Sequence, residues 1–406
     1  MNKNLKHYKK NILLLLLGKI IFTLSIGWSI INIIYFKKID ISYNNIGLIF
    51  AFETILILIA AIPLAYYSDN YNRKNTIIIA SITTFLSTIF LILFNNLYGA
   101  IIWAFFSGIS YAATAGPFEA MLYENLKRLK RRHYFSDIYS HIHVLVILAG
   151  SASAFIYPLL LEKNILYPMY ISSLLSLISL FIFSLLFFKP NKKSKNIKIN
   201  HKYELFKQNM IALRKIKNIK ILLWVVLFES IWLSGLWSYE EFLIQPFIEG
   251  NYSMKDYGII FGTSMILQAL LVKVFSLLLK KINTKIVFLS TIVITFVFTL
   301  FHTLFPKDIF IIILSISIIL GTKNYVLILI SDITNKVITK DFIRNTVFAI
   351  ASTIATIVYA VYITIIGFSV DKLGVDNTLS YNNYFLLFVG IILIVYLFII
   401  LKNKSK

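Results

Sequence analysis

Seven ionisable side chains stand inside long apolar runs: Lys19, Glu53, Glu119, Glu229, Lys273, His302 and Lys323. A charge in hydrocarbon costs about 2.5–3.5 kcal/mol on insertion scales, so such groups face a cavity or a partner. Carboxylates there can take a proton from one side and release it to the other; ammonium groups can hold an anion. Glu229 and Trp232 lie three residues apart on one helical face. Together they would make an aromatic and acidic wall for a cation, through ion pairing and cation–π contact. Tyr111 and Tyr325 add hydroxyls, and Glu53 is expected as a proton site or an outer gate. Lys19 and Lys273 have a plainer reading, in which the long stem carries the charge out to the membrane surface. His302 sits near the end of its run and is expected at the interface. Trp237 reads as an interface anchor.

Other chemistries find little support. The chain has no cysteine, which removes disulfides and thiolate metal sites. His141 and His143 are two residues apart at a helix start, so they point away from each other and cannot chelate as an i, i+4 pair would. No phosphate-binding loop and no nucleophile–base pair at useful spacing is evident. Neither a metal, a cofactor nor an enzymatic activity is expected.

The elements that position these groups are membrane helices. Of 406 residues, 58% are hydrophobic and only 14% charged, with a mean hydropathy of +0.79. Soluble domains carry roughly 25% charged residues. Runs near the ~20 residues that cross a bilayer recur at roughly 12–34, 46–67, 76–94, 98–122, 141–161, 167–188, 218–243, 256–279, 286–305, 308–330, 346–369 and 382–401. The first run is too long for a cleavable signal segment, and no small-residue cleavage site follows it. The polar segment 189–217 divides the chain into an N-terminal half, 1–188, and a C-terminal half, 218–406. Its end, from Tyr203 to Lys217, has mixed polarity at helical spacing, as for a short basic helix on the inner membrane surface or a solvated linker.

The net charge of +22 would fit a nucleic-acid partner if it were clustered on one soluble face. Instead most of the 40 Lys and Arg fall at the N-terminus, around Arg73, from Lys127 to Arg132, in 189–220, around Lys280, around Lys340 and at the C-terminus. The opposite set of loops holds only Lys37, Lys38, Lys163, Lys255, Lys307 and Lys372. Positive residues concentrate on the cytoplasmic side, so both termini are expected inside. Heavy use of Ile, Lys and Asn fits a bacterial source. The expected location is the bacterial cytoplasmic membrane.

The link between the second and third runs reads Pro63-Leu-Ala65-Tyr-Tyr-Ser-Asp69-Asn-Tyr-Asn72-Arg73-Lys74. It resembles the signature of the major facilitator superfamily at that loop, Gly-x-x-x-Asp-Arg-x-Gly-Arg-Lys. Asp69, Arg73 and Lys74 match; Ala65 and Asn72 replace glycines, Asn72 as a residue tolerant of positive φ. The resemblance implies a latch that holds the inner side of one half against the other. A second stretch, Ser107-Gly108 followed by Glu119-Ala120-x-Leu122-Tyr123-Glu124-x-Leu126-Lys127, is similar to an efflux-like bacterial branch. It implies Glu119 or Glu124 as the partner of Arg73. Two features depart from drug–proton antiporters: Ala104 stands where many carry an arginine, and the fifth run has a reduced glycine motif, "LAGSASAFIYP".

The resemblance implies an all-α, twelve-helix fold of two six-helix halves, in which spans 1, 4, 7 and 10 line a central cavity. Lys19, Glu119, Glu229 and Lys323 fall one on each of those spans. The expected function is secondary active transport by alternating access, coupled to protons and exporting a small amphiphile. Uptake of a nutrient such as an amino acid or peptide is the alternative, with Lys19 and Lys323 binding its carboxylate. A polytopic lipid-modifying enzyme is a less favoured one. The expected partners are a small-molecule substrate, protons and the lipid bilayer, without nucleic acid; the chain is expected to act as a monomer.

Overall fold

The computed structural model describes residues 3–70, 72–114, 116–187, 219–278, 284–337 and 341–402. The 189–217 segment, with its expected basic helix, lies outside the described residues. Twelve helices and no strand occur among those described. Helix α1 runs through Lys3–Ile26, a tighter turn Gly27–Ile31 and Asn32–Lys38; α2 is Tyr43–Asn70 and α3 Arg73–Leu93. Helix α4 has two segments, Leu97–Thr114 and Pro117–Arg128; α5 is Phe135–Lys163 and α6 Tyr167–Ser184. Helix α7 is continuous through Ile219–Leu227, Phe228–Trp232, Leu233–Ser238, Tyr239–Leu243 and Ile244–Asn251. Then come α8 Met254–Leu278, α9 Thr284–Leu304, α10 Ile309–Val337, α11 Asp341–Leu373 and α12 Val375–Lys402. Ten are long and apolar enough to cross a membrane; α9 adds a shorter apolar stretch, Ile286–His302.

Local chemistry sets the breaks. Asn72 has extended backbone (φ −160°) and its side chain accepts from the Lys74 amide at 3.0 Å. It caps α3; the positive φ expected from the sequence is not adopted there. Gly116, by contrast, does have φ +92°, a value few side chains tolerate, and Pro117 restarts the second α4 segment at its first turn. Helices α11 and α12 are separated only by Gly374 (φ +82°). The polar start of α12 stays helical because Asn377, Thr378 and Ser380 donate to carbonyls four residues back, at 2.9, 2.8 and 3.0 Å.

The chain divides into two compact units: Met1–Asn196 with Ser253–Gly262, and Ile197–Tyr252 with Thr263–Lys406. In the first, small and hydroxylic residues let helices approach closely, as expected where lipid supplies no hydrophobic drive between helices. Thr84 and Ser110 hydroxyls are 2.7 Å apart between α3 and α4, and those of Ser81 and Ser179 are 2.9 Å apart between α3 and α6. Ser172 donates to the Ser25 carbonyl, joining α6 to α1. Near the start of α1, buried Asn11 donates to Asn125 Oδ1 at 2.9 Å and to the Phe187 carbonyl at 2.7 Å. An apolar cluster with Leu15, Phe22, Ile77, Leu122 and Phe183 fills the space between.

In the second unit α7 is the buried centre. Trp224 and Trp232 donate their indole N–H to the Leu393 and Leu386 carbonyls of α12, at 2.6 and 3.1 Å. Asn382 donates to the Gly235 carbonyl at 3.4 Å and accepts from Tyr362 of α11 at 2.7 Å. Two parts of α7, Phe228–Trp232 and Tyr239–Leu243, are wide π-type turns. Each such turn takes one more residue per hydrogen bond than an α-turn and re-aims the side chains beyond it; π-bulges are frequent at functional sites.

Candidate functional site

Within the first unit lies a cavity of ≈180 Å³. Its lining includes Lys19 of α1, Thr84 and Ser87 of α3, and Ser107, Ser110 and Tyr111 of α4, with Trp28 and Trp103 among the apolar members. The hydroxyls recur at helical spacing on α3 and α4, so each helix turns one polar stripe inward. Lys19 is the charged member. Its Nζ stands 5.3 Å from the Phe118 ring centroid, and Glu119 acts on it through space. No hydrogen bond or ion pair reaches it among the described residues. An ammonium held in this setting with only a through-space carboxylate, and no ion-pair contact among the described residues, marks a place where a ligand anion would be favoured.

Glu119 is not among the residues that line the cavity. One of its carboxylate oxygens accepts from Tyr139 at 3.3 Å and the other is buried without a hydrogen-bond partner. Glu53 of α2 accepts from Ser107 of α4 at 2.5 Å. The two helices touch directly beside this bond: a methyl group at Gly108 would come 2.9 Å from the Glu53 carbonyl oxygen. Tyr111 is 41% exposed and presents its ring to the cavity.

The basic turn after α2 builds a separate cluster. Arg73 Nη1 lies 3.3 Å from Glu124, which also meets Arg128 at 2.8 Å; Arg73 donates to the Ala120 carbonyl at 3.4 Å as well. Of the two acids offered by the sequence, Arg73 therefore meets Glu124. All these residues belong to the first unit. Lys74 reaches the Ser184 carbonyl at 2.7 Å. The side chain of Asp69 lies outside the described residues.

The second unit places its charges differently from the straight-helix reading. Lys323 of α10 pairs with Glu240 of α7. The neighbouring Glu241 accepts from Tyr359 of α11. Glu229 sits in the first wide turn, half-buried, with no hydrogen bond or ion pair among the described residues. Trp232 is fully buried, packed on Phe228 at 4.8 Å and bonded to Leu386. Its ring is therefore closed off from a ligand, and the expected Glu229–Trp232 wall is not formed. Tyr325 is 4% exposed, with its ring 6.2 Å from Phe275. His302, expected at the interface, is fully buried: its Nδ1 is 2.8 Å from the Tyr239 hydroxyl, and its ring stacks between Tyr239 and Phe247.

Sequence reasoning overlooked Ser107, Glu241 and Tyr359. The signal for Glu241 was present as two adjacent acids in an otherwise apolar run; the signal for Ser107 was the Ser/Thr stripe that continues through Ser110 and Thr114.

A family model described as Major Facilitator Superfamily matches residues 15–333. No curated protein sequence matches the chain. Solved structures of similar fold include the nucleoside transporter NupG, with a TM-score of 0.72 at 15% identity, covering 97% of this chain and 99% of that one. The POT family transporter PepTSo aligns with a TM-score of 0.74 at 11% identity, over 97% and 98% of the two chains. A D-xylose–proton symporter gives 0.68 at 13% identity, over 95% and 97%. A model match over most of the length, on a fold of twelve helices, leaves one conclusion: the chain belongs to the major facilitator superfamily.

Proposed function

We propose that this protein is a secondary active transporter for a small solute bearing an anionic group, with Lys19 as the anion-binding residue. The observation that carries the reading is Lys19 itself, an ammonium with no ion-pair contact among the described residues, on the wall of a hydroxyl-lined cavity. A carboxylate or phosphate oxygen would complete it, and the Ser and Thr hydroxyls would orient the rest of the solute. At ≈180 Å³ the cavity is smaller than the ~300–1,000 Å³ usual for ligand pockets, which favours a compact solute. The similar structures carry names of nucleoside, peptide and sugar transporters, all of them polar solutes. Movement would follow alternating access of two halves, 1–188 and 218–406, in the cytoplasmic membrane with both termini inside. The Arg73–Glu124–Arg128 cluster, with Asp69 and Lys74, would act as a conformational latch, and the chain would act as a monomer.

Proton-coupled export of a cationic amphiphile, as in an efflux-like branch, is the second reading. Glu229 favours it, as a half-buried carboxylate without a partner. A panel of radiolabelled solutes in proteoliposomes with an imposed pH gradient separates the two. Saturable transport of small carboxylates or phosphate that Lys19→Met abolishes and Lys19→Arg partly keeps supports the first. Transport of organic cations that Glu229→Gln abolishes, with Lys19→Met unaffected, overturns it.

A further inference from the structure

Ser107 lines the cavity and also bonds to the Glu53 carboxylate. It is 7% exposed, and its bond to Glu53 at 2.5 Å is its only hydrogen bond among the described residues. The α2–α4 contact at Gly108 fixes the distance between the two groups, because the backbones leave no space for a side chain there.

A serine hydroxyl has one proton and two lone pairs. An ionised carboxylate can only accept, so while Glu53 carries its charge the Ser107 proton must point at it. The cavity then meets the oxygen lone pairs of Ser107, which repel an anion. A protonated Glu53 has a proton of its own to donate. It can donate to the Ser107 oxygen, and the Ser107 proton is then free to turn into the cavity. Ser107 becomes a donor into the cavity that Lys19 also lines, where an anion would sit.

We propose that Glu53 is the proton-coupling residue and that Ser107 relays its protonation state to the cavity by reversing the direction of their shared hydrogen bond. One proton is taken from solvent onto Glu53; no other bond to hydrogen is made or broken, and Ser107 only rotates. The relay rests on the anion-binding reading above and gives it a mechanism of coupling. By linkage, a proton on Glu53 and an anion at Lys19 must favour one another by the same factor. Among the described residues, the charged and titratable groups on the elements flanking this bond are these. Helix α4 brings Tyr111 one turn beyond Ser107, α1 brings Lys19 across the cavity, and α3 carries none beyond Lys74. Lys37 lies over the Tyr43 ring at the start of α2, more than two turns away.

The test uses the purified full-length protein in detergent. Trp28 and Trp103 line the cavity, so their fluorescence reports binding of acetate, lactate or inorganic phosphate across a pH series. In weak buffer, a pH-sensitive dye reports proton uptake on binding. The wild type should bind at least one of these anions more tightly at low pH by roughly tenfold or more, the worth of one hydrogen bond to a charged group, and should take up protons as it binds. Ser107→Ala should bind with the wild type's high-pH affinity at every pH, without proton uptake. Glu53→Gln, whose amide can donate to Ser107 as the protonated acid would, should hold the low-pH affinity at every pH. Wild-type pH dependence and proton uptake in Ser107→Ala would overturn the relay alone. Absence of any anion response in the wild type, identical to Lys19→Met, would overturn the anion site and the relay with it.

Discussion

Lys323 pairs with Glu240, and Glu229, eleven positions before Glu240 on α7, has no hydrogen-bond or ion-pair partner among the described residues. The lysine side chain is 7% exposed and the glutamate 28%. Removing one partner strands the other in a poorly hydrated place, at a cost of about 2–4 kcal/mol, toward the lower side for a pair with one partly exposed member. Lys323→Met and Glu240→Gln should each lower the apparent Tm in detergent by several degrees. The double variant should recover most of the loss. Two independent, additive losses would show that the pair is not coupled.

Trp232 donates its indole N–H to the Leu386 carbonyl and packs on Phe228. Trp232→Phe should keep most of the packing and remove the indole hydrogen bond, while the Leu386 carbonyl keeps its helical partner within α12, for a loss of about 1 kcal/mol. The KM for the transported solute should not change. A several-fold rise in KM with unchanged stability would put the ring in contact with solute.

Glu124 holds Arg73 and Arg128 with side chains a quarter exposed, at 25% for the acid and 28% for each arginine. Such pairs contribute roughly 1 kcal/mol or less. Arg73→Ala should therefore slow turnover while leaving apparent Tm and solute affinity nearly intact; normal turnover would reduce the cluster to a topological turn. Asn72 gives a complementary measurement. Asn72→Ala should cost about 1 kcal/mol through loss of the α3 cap, and Asn72→Asp should cost little.

Gly108 admits α2 to the surface of α4, with Glu53 O and Leu56 Cβ each 2.9 Å from where a methyl group would stand. Gly108→Ala must push backbone against backbone, which costs about 1–3 kcal/mol. Gly108→Ala should lose thermal stability together with the pH dependence of binding. Full retention of both would mean that the α2–α4 contact yields without consequence.

The orientation proposed from charge placement is open to direct labelling, since the chain has no cysteine of its own. Single cysteines at Lys163, exposed at the end of α5, and Lys307, exposed in the link between α9 and α10, should react with an impermeant thiol reagent in intact cells. One at Arg132, also exposed, should react only after permeabilisation. The reverse pattern would invert the topology.

The helices were legible because an apolar run near bilayer length has few other uses. The third run, expected at 76–94, is Arg73–Leu93. Errors came where polar residues were read as a membrane edge. The seventh run was expected to end at 243, just past Glu240 and Glu241, yet the helix continues to Asn251. Lys323 and Tyr359 supply partners for the two acids, and those partners are 83 and 118 residues away in sequence. His302 was misplaced for the same reason: the Tyr239 hydroxyl and the rings that shelter it come from another helix. The cavity was legible only as Lys19 and Tyr111. Its hydroxyl lining emerges when α3 and α4 are set side by side, which spacing within either helix cannot show.

The two wide turns of α7 have a consequence for comparison with relatives. Each turn absorbs one residue that a straight helix would not need. A position-by-position match to a relative with a straight seventh helix thus slips by one at Phe228–Trp232 and by another at Tyr239–Leu243. At 15% identity, nothing in the letters would betray the slip. Functional residues carried over past Leu243 without two gaps would land on the wrong side of the helix.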